Sequence, residues 1–265
     1  MKRTKIYKYF LISLISLGVL GVSTSIASAD AEKTVYIHYK STAGKKIHAD
    51  RALSTSGADL SAYGSQFSLN GIGQFGSPKT TGYVMRIKGY VPANLKENLT
   101  YRNLPSSVTL RYVKVKTLNE KVRSSYMRQF NAYRKAHHRT ILKLNHDLQK
   151  KANVRAKELW VQDTHVRPNG KSYNKRGSGY AETMAELPAA YSHAGVTQMG
   201  YGAQLVYTKN GILSYKQTAK TVVKELMTID KVHRNTELNT WSKYSSAAFS
   251  FSSDGSAMMV QLFHL

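Results

Sequence analysis

The hydrophobic period of this chain lengthens from two residues to about 3.6 near residue 117 and returns to two only at the C-terminus, which restricts the fold to one that segregates strands and helices. From Asp30 to about Lys116, Val35, Ile37 and Tyr39 alternate with Tyr36 and His38, and Val108, Leu110 and Tyr112 alternate with Thr109 and Arg111. Alternation of this kind predicts half-buried strands. Ser56-Gly57, Asn70-Gly71 and Gly76-Ser77-Pro78 supply the turns between them, so residues 30–116 read as a small β-rich module with one modest core. Beyond it, Leu118, Val122, Tyr126, Phe130 and Tyr133 recur on one face of a helix. A second stripe runs through Leu148, Ala152, Ala156 and Leu159, with Asn145 or Asp147 as its N-cap. Val222, Val223, Leu226 and Met227 make a third. The last segment alternates again, with Ala247, Phe249 and Phe251 before Asp254-Gly255 and Met258, Val260 and Leu262 after it, the pattern of a hairpin. Helices followed by a terminal hairpin, without regular βαβ alternation, predict an α+β chain whose residues 117–265 form a three-layer α-β-α sandwich on an antiparallel sheet.

The first 29 residues place Lys2, Arg3, Lys5 and Lys8 ahead of an apolar run from Phe10 to Leu20 and end in Ala27-Ser28-Ala29. That is the pattern of a secretory signal peptide cleaved before Asp30, and the apolar run is shorter than the roughly 20 residues of a spanning helix. The formal charge of +24, less the four leader cations, leaves +20 on the mature chain. Like charge of this size opposes compaction and calls for a polyanion nearby. The cations are spread along the chain and accompany no nucleic-acid motif, so the expected partner is an anionic cell-wall polymer or membrane surface. The chain has no cysteine, which removes disulfides and thiolate metal sites although export would permit them. A Lys-rich, cysteine-free exported chain fits a Gram-positive envelope. With neither a Leu-Pro-x-Thr-Gly signal nor a hydrophobic tail, ionic retention at the cell wall is expected in place of covalent anchoring.

Three short motifs come after the second helical stripe. Thr164-His165-Val166-Arg167-Pro168-Asn169-Gly170-Lys171-Ser172-Tyr173 sets an imidazole ahead of a Pro-Asn-Gly turn, Tyr180-Ala181-Glu182-Thr183-Met184 carries an acid, and Asp230-Lys231-Val232-His233-Arg234-Asn235 carries a second imidazole. From Leu118 to Leu265 the chain resembles the CAP superfamily (cysteine-rich secretory, antigen 5 and pathogenesis-related proteins), above all its bacterial SCP-like branch. The pattern there is roughly Ser/Thr-His-x-Arg-Pro-x-Gly, then Gly-Glu-Asn-Ile, then Gly-His-Arg-x-Asn. The N-terminal order Val-Tyr-Ile-His-Tyr, Ala43-Gly44-Lys45-Lys46-Ile47, Gly82-Tyr83 and Val-Thr-Leu-Arg-Tyr-Val is similar to the mucin-binding-protein type repeats of Gram-positive surface proteins, which implies a β-grasp-like module.

Pro168 stops the second helix near Gln162, which puts His165 at a helix C-terminus where the macrodipole favours a cation. The CAP resemblance implies a cleft formed by His165, Glu182, Asp230 and His233. Asp230 is the second acid by the family's spacing, and Glu225 is its competitor. If the fold unites them, His165, His233 and Glu182 form a ligand set for a divalent ion such as zinc, with an open position for water. The chain departs from the pattern at Ala181, Thr183 and Val232, and Met227 stands where a tryptophan is usual. Gly71-Ile72-Gly73-Gln74-Phe75-Gly76 matches a dinucleotide fingerprint but lacks its strand, helix and acid. His137-His138 lacks the spacing of a helical metal pair, and no serine sits in a nucleophile signature. The 18 tyrosines read as packing. The expectation is a secreted, extracellular CAP-domain protein that binds at the bacterial envelope, its β-module contacting host or wall glycoconjugate. The alternative is a metal-dependent extracellular hydrolase in which Glu182 or Asp230 acts as base.

Overall fold

The computed structural model describes residues 34–54, 66–68, 86–94, 98–100, 105–189, 191–192, 195–196 and 203–265. The leader and the Gly71–Gly76 segment lie outside them. In chain order the elements are β1 (Thr34–Ser41), β2 (Arg51–Ser54), β3 (Gln66–Ser68), β4 (Tyr90–Pro92), β5 (Asn98–Thr100), β6 (Ser107–Lys114), α1 (Val115–Ala136), α2 (His146–Glu158), β7 (Tyr180–Leu187), β8 (Tyr191–Ser192), β9 (Gly195–Val196), α3 (Tyr215–Thr228), α4 (Lys231–Glu237), β10 (Tyr244–Phe251) and β11 (Ala257–His264). The chain is α+β, with its described strands clustered before α1 and after α2.

The N-terminal sheet has the order β2-β1-β6-β4. Its central pair is parallel and its outer pairs are antiparallel. The alternating residues Val35, Ile37 and Tyr39 of β1 and Val108, Leu110 and Tyr112 of β6 bury one face into a single cluster, as period two requires. No linker separates this sheet from the helical part of the chain, because β6 ends at Lys114 and α1 begins at Val115.

The C-terminal sheet is antiparallel, with the order β10-β11-β7. Alternation decides which layer each strand residue serves. Ala247, Phe249, Phe251, Met259 and Phe263 pack on α1 and α3, while Ala248, Met258, Val260 and Leu262 pack on α2. The sheet is therefore sandwiched between helices, and β11, covered on both sides, is buried over seven of its eight residues. Phe130 stacks with Tyr126 and meets Phe263 edge-on. The Asp254-Gly255 turn closes the hairpin. Gly255 adopts φ 82°, and the Asp254 carboxylate accepts from the backbone and hydroxyl of Ser256.

Asn145 caps α2 by accepting the Leu148 N–H at 2.9 Å. The helix stops at Glu158, earlier than the expected end near Gln162. The N–H groups of both Val161 and Gln162 fold back to the Glu158 carbonyl, so the chain turns well before Pro168 can act on it. His165 thus lies in the loop after the helix and not at its terminal residue. His233 belongs to a fourth helix, α4, which succeeds the third across Asp230.

Candidate functional site

The loop between α2 and β7 is pinned by its own motif. Arg167 donates to both carboxylate oxygens of Glu158, each at 2.8 Å, and lies 5.2 Å over the Tyr173 ring. The guanidinium beside Glu158 holds that carboxyl below its ordinary range and is itself raised by the contact. The Pro168-Asn169 turn closes with the Gly170 N–H on the Arg167 carbonyl, and the Arg167 N–H then donates to the Lys171 carbonyl. Gly170 supplies the positive φ of 75° that the turn needs.

This clamp presents His165 to Glu182 of β7. Nδ1 of His165 is 3.1 Å from Oε2 of Glu182 and 3.0 Å from the Asn174 amide. Asn174 in turn accepts the Glu182 backbone N–H at 2.6 Å. Nδ1 can donate to the carboxylate in one tautomer, which leaves Nε2 as the bare nitrogen, or accept from the Asn174 amide in the other; Nε2 has no partner among the described residues. The His165 side chain is 42% exposed whereas that of Glu182 is fully buried. Beneath them Arg155 of α2, also fully buried, meets Oε1 of Glu182 at 2.5 Å. Its guanidinium also donates to the Thr164 carbonyl, so a single cation neutralises the acid and ties down the loop that carries the histidine.

Asp230 and His233 form a separate pair. Asp230 is the N-cap of α4, accepting the His233 N–H at 2.7 Å through one oxygen and meeting His233 Nδ1 at 2.7 Å through the other. These two bonds hold its carboxyl below the ordinary range. Successive side chains of a strand face opposite sides, so Glu182 points to α2 and Thr183 points to α4, where its hydroxyl donates to Oε1 of Glu237 at 2.5 Å. The structure thus brings the sequence-derived candidates together as two pairs, His165 with Glu182 and His233 with Asp230, in different layers. Among the described residues no three His, Asp or Glu side chains gather as a metal would require. A zinc ion at His165 would find one imidazole and one carboxylate already in an ion pair, whereas catalytic zinc takes three protein ligands.

Glu237, Arg134 and Arg155 escaped the sequence reading. Burial pushes Glu237 up to about 8, against the lowering effects of Thr183 and Arg134, and its Oε2 has no partner among the described residues. Arg134 donates to the carbonyls of Thr140, Glu237 and Asn239. A signal for both arginines was present. Arg134 continues the four-residue spacing of Leu118, Val122, Tyr126 and Phe130, and Arg155 adjoins Ala156 in the second stripe, so each is a charge set into an apolar face. Glu237 and Asn174 had no such signal.

No curated protein matches the chain. An outer surface protein from Borrelia burgdorferi is a similar solved structure, with 17% identity, 55% of this chain and 92% of that chain covered, and a TM-score of 0.38. The profile of CAP, the cysteine-rich secretory protein family, matches residues 127–263, a span that holds the C-terminal part of α1, the pinned loop with His165, Glu182 and the terminal hairpin, and by that match the chain belongs to the CAP family.

Proposed function

We propose that the protein is an exported binding protein of the bacterial envelope, retained by ionic attraction to an anionic cell-wall polymer or membrane surface, with the N-terminal module contacting host or wall glycoconjugate. CAP family membership fits an extracellular protein. The observation that carries the reading is the distribution of charge. Asp50, Asp147, Glu158, Glu182 and Asp254 each have a Lys or Arg partner, so in a chain of 39 Lys and Arg against 15 Asp and Glu the unneutralised surface charges are overwhelmingly cationic. No helix among the described residues is long and apolar enough to cross a membrane. The test is cosedimentation with isolated cell walls. Raising salt from physiological strength to 1 M shortens the Debye length from about 8 Å to about 3 Å and should release most of the protein; retention unchanged by salt rejects ionic attachment.

A metal-dependent hydrolase is the second reading, favoured by the open Nε2 of His165 over a buried carboxylate. The pairing of His233 with Asp230 in another layer supports binding over catalysis. Zinc calorimetry on wild type and His165→Ala tests the site. Equal affinities reject a metal site at His165; a large loss in the variant establishes one, and turnover on peptide, ester or glycan substrates is then what separates the hydrolase from a binding site.

A further inference from the structure

The sandwich leaves one edge of its sheet open. β10 is an edge strand, with α1 on one of its faces and α2 on the other, and between the helices runs a groove made of two hollows of about 450 and 600 Å³ that share Arg123. The N–H and C=O groups of Ser245, Ala247, Phe249 and Phe251 point outward along this edge, because the even-numbered residues of β10 bond to β11. Part of the edge is already closed. Ser245 N–H donates to Lys143, Ala247 C=O accepts from Gln149, and Phe251 N–H donates to Asn119. The backbone of Phe249 is left on the floor of the groove. Lys116, Arg123 and Lys157 line the first hollow and Arg128 the second, against Glu120 as the acid in either lining, and among the described residues none of these four cations forms an ion pair.

We infer that this groove seats a linear anionic polymer of phosphodiester-linked polyol or sugar units, an assignment that rests on the envelope-binding reading and names its site. A flat lipid surface cannot reach a floor recessed between two helices, whereas an extended chain can pass through both hollows beneath Arg123. The cations meet the phosphates, and the Phe249 carbonyl and the amides of Asn119 and Asn153 meet the hydroxyl groups between them. The open C=O calls for a donor, which the hydroxyl groups between the phosphates supply and an ionised phosphodiester does not.

Calorimetric titration with a synthetic glycerol-phosphate oligomer tests the assignment. Arg123→Glu with Lys157→Glu should weaken binding at least about tenfold, while Lys220→Glu with Lys224→Glu on α3, an equal change in net charge, should weaken it less than about threefold. Arg123→Gln with Lys157→Gln, which adds no repulsion, should show the same ranking if the reversal impairs folding. Equal losses from the groove and α3 pairs would overturn the groove while leaving ionic retention standing. No binding by the wild-type protein would overturn the assignment, and salt release from cell walls would then decide ionic retention by itself. Polyglutamate bound as tightly as the oligomer, or a parallel loss of binding to phosphatidylglycerol vesicles in the groove pair, would also overturn the assignment, pointing to an acidic peptide or to a lipid headgroup.

Discussion

Arg155 and Glu237 show opposite solutions to burying a charge. Arg155 is neutralised at 2.5 Å by Glu182, so removing it leaves a carboxylate stranded in the interior. Arg155→Met should cost about 3–5 kcal/mol, and adding Glu182→Leu should recover most of it, because a buried pair is seldom better than apolar packing of similar volume. Urea unfolding of the single and double variants measures both. Glu237 instead retains its proton, its carboxyl raised from the ordinary 4.5 to about 8. The unfolded chain releases that proton at lower pH than the folded one. Its contribution to stability is therefore complete below about pH 4.5 and is lost as pH rises to about 8, with a slope of up to about 1.4 kcal/mol per pH unit. Glu237→Gln keeps an acceptor for Thr183 and carries no proton to lose, so urea midpoints across this window should flatten and the variant should gain most near pH 8. A wild-type profile with the same slope as the variant would show that Glu237 does not titrate there.

The decisive element is α2 with the loop behind it. The helix supplies Leu148, Ala152, Ala156 and Leu159 to the sheet and Arg155 to Glu182, while Glu158 at its last turn holds the loop through Arg167. Loss of the Asn145 cap in Asn145→Ala should cost about 1 kcal/mol, read as a lower thermal midpoint. Gly170→Ala meets no steric obstacle but imposes a φ of +75° on a residue with a Cβ, and should cost about 1 kcal/mol. Both variants should leave β10 and the α1 side of the groove unchanged. By contrast, Arg167→Ala removes both bonds to Glu158 and should free the loop, read as faster amide exchange in residues 164–173 as well as a lower thermal midpoint.

At the scale of the molecule the β-module and the CAP domain are not beads on a string. Val91 of β4 and Val113 of β6 belong to the large core built on α1 and α3, and Tyr207 packs against both cores and donates to the Pro92 carbonyl at 2.9 Å. Gly89 N–H donates to Ser253 of the terminal hairpin, and Arg86 lies 3.6 Å from Asp254. We propose that residues 118–265 nonetheless form a folding unit, since the sandwich closes its own sheet on both faces. That fragment should unfold cooperatively by calorimetry, at a lower midpoint than the whole chain because it loses Val91 and Val113 from its core. Absence of any cooperative transition in the fragment would show that the module is required for the sandwich to fold.

Local periodicity determined a good deal. Strand alternation, the apolar stripes of α1, α2 and α3, a cap at Asn145 or Asp147 and the Asp-Gly hairpin were all legible, because side-chain direction repeats every two or 3.6 residues whatever lies opposite. The pairing of His165 with Glu182 across 17 residues was also within reach, since each stood in a recognisable motif. What only the tertiary structure decided is the side of the sheet on which each polar group lies. The sequence ordered His165, Glu182, Asp230 and His233 as one series, and the pleat divides them, because Glu182 and Thr183 point to opposite layers. The same division gives Glu237 its burial and the β10 edge its cation-lined groove. Neither can be derived from spacing along the chain, because burial and facing depend on which element packs opposite, and that is set by contacts far apart in sequence.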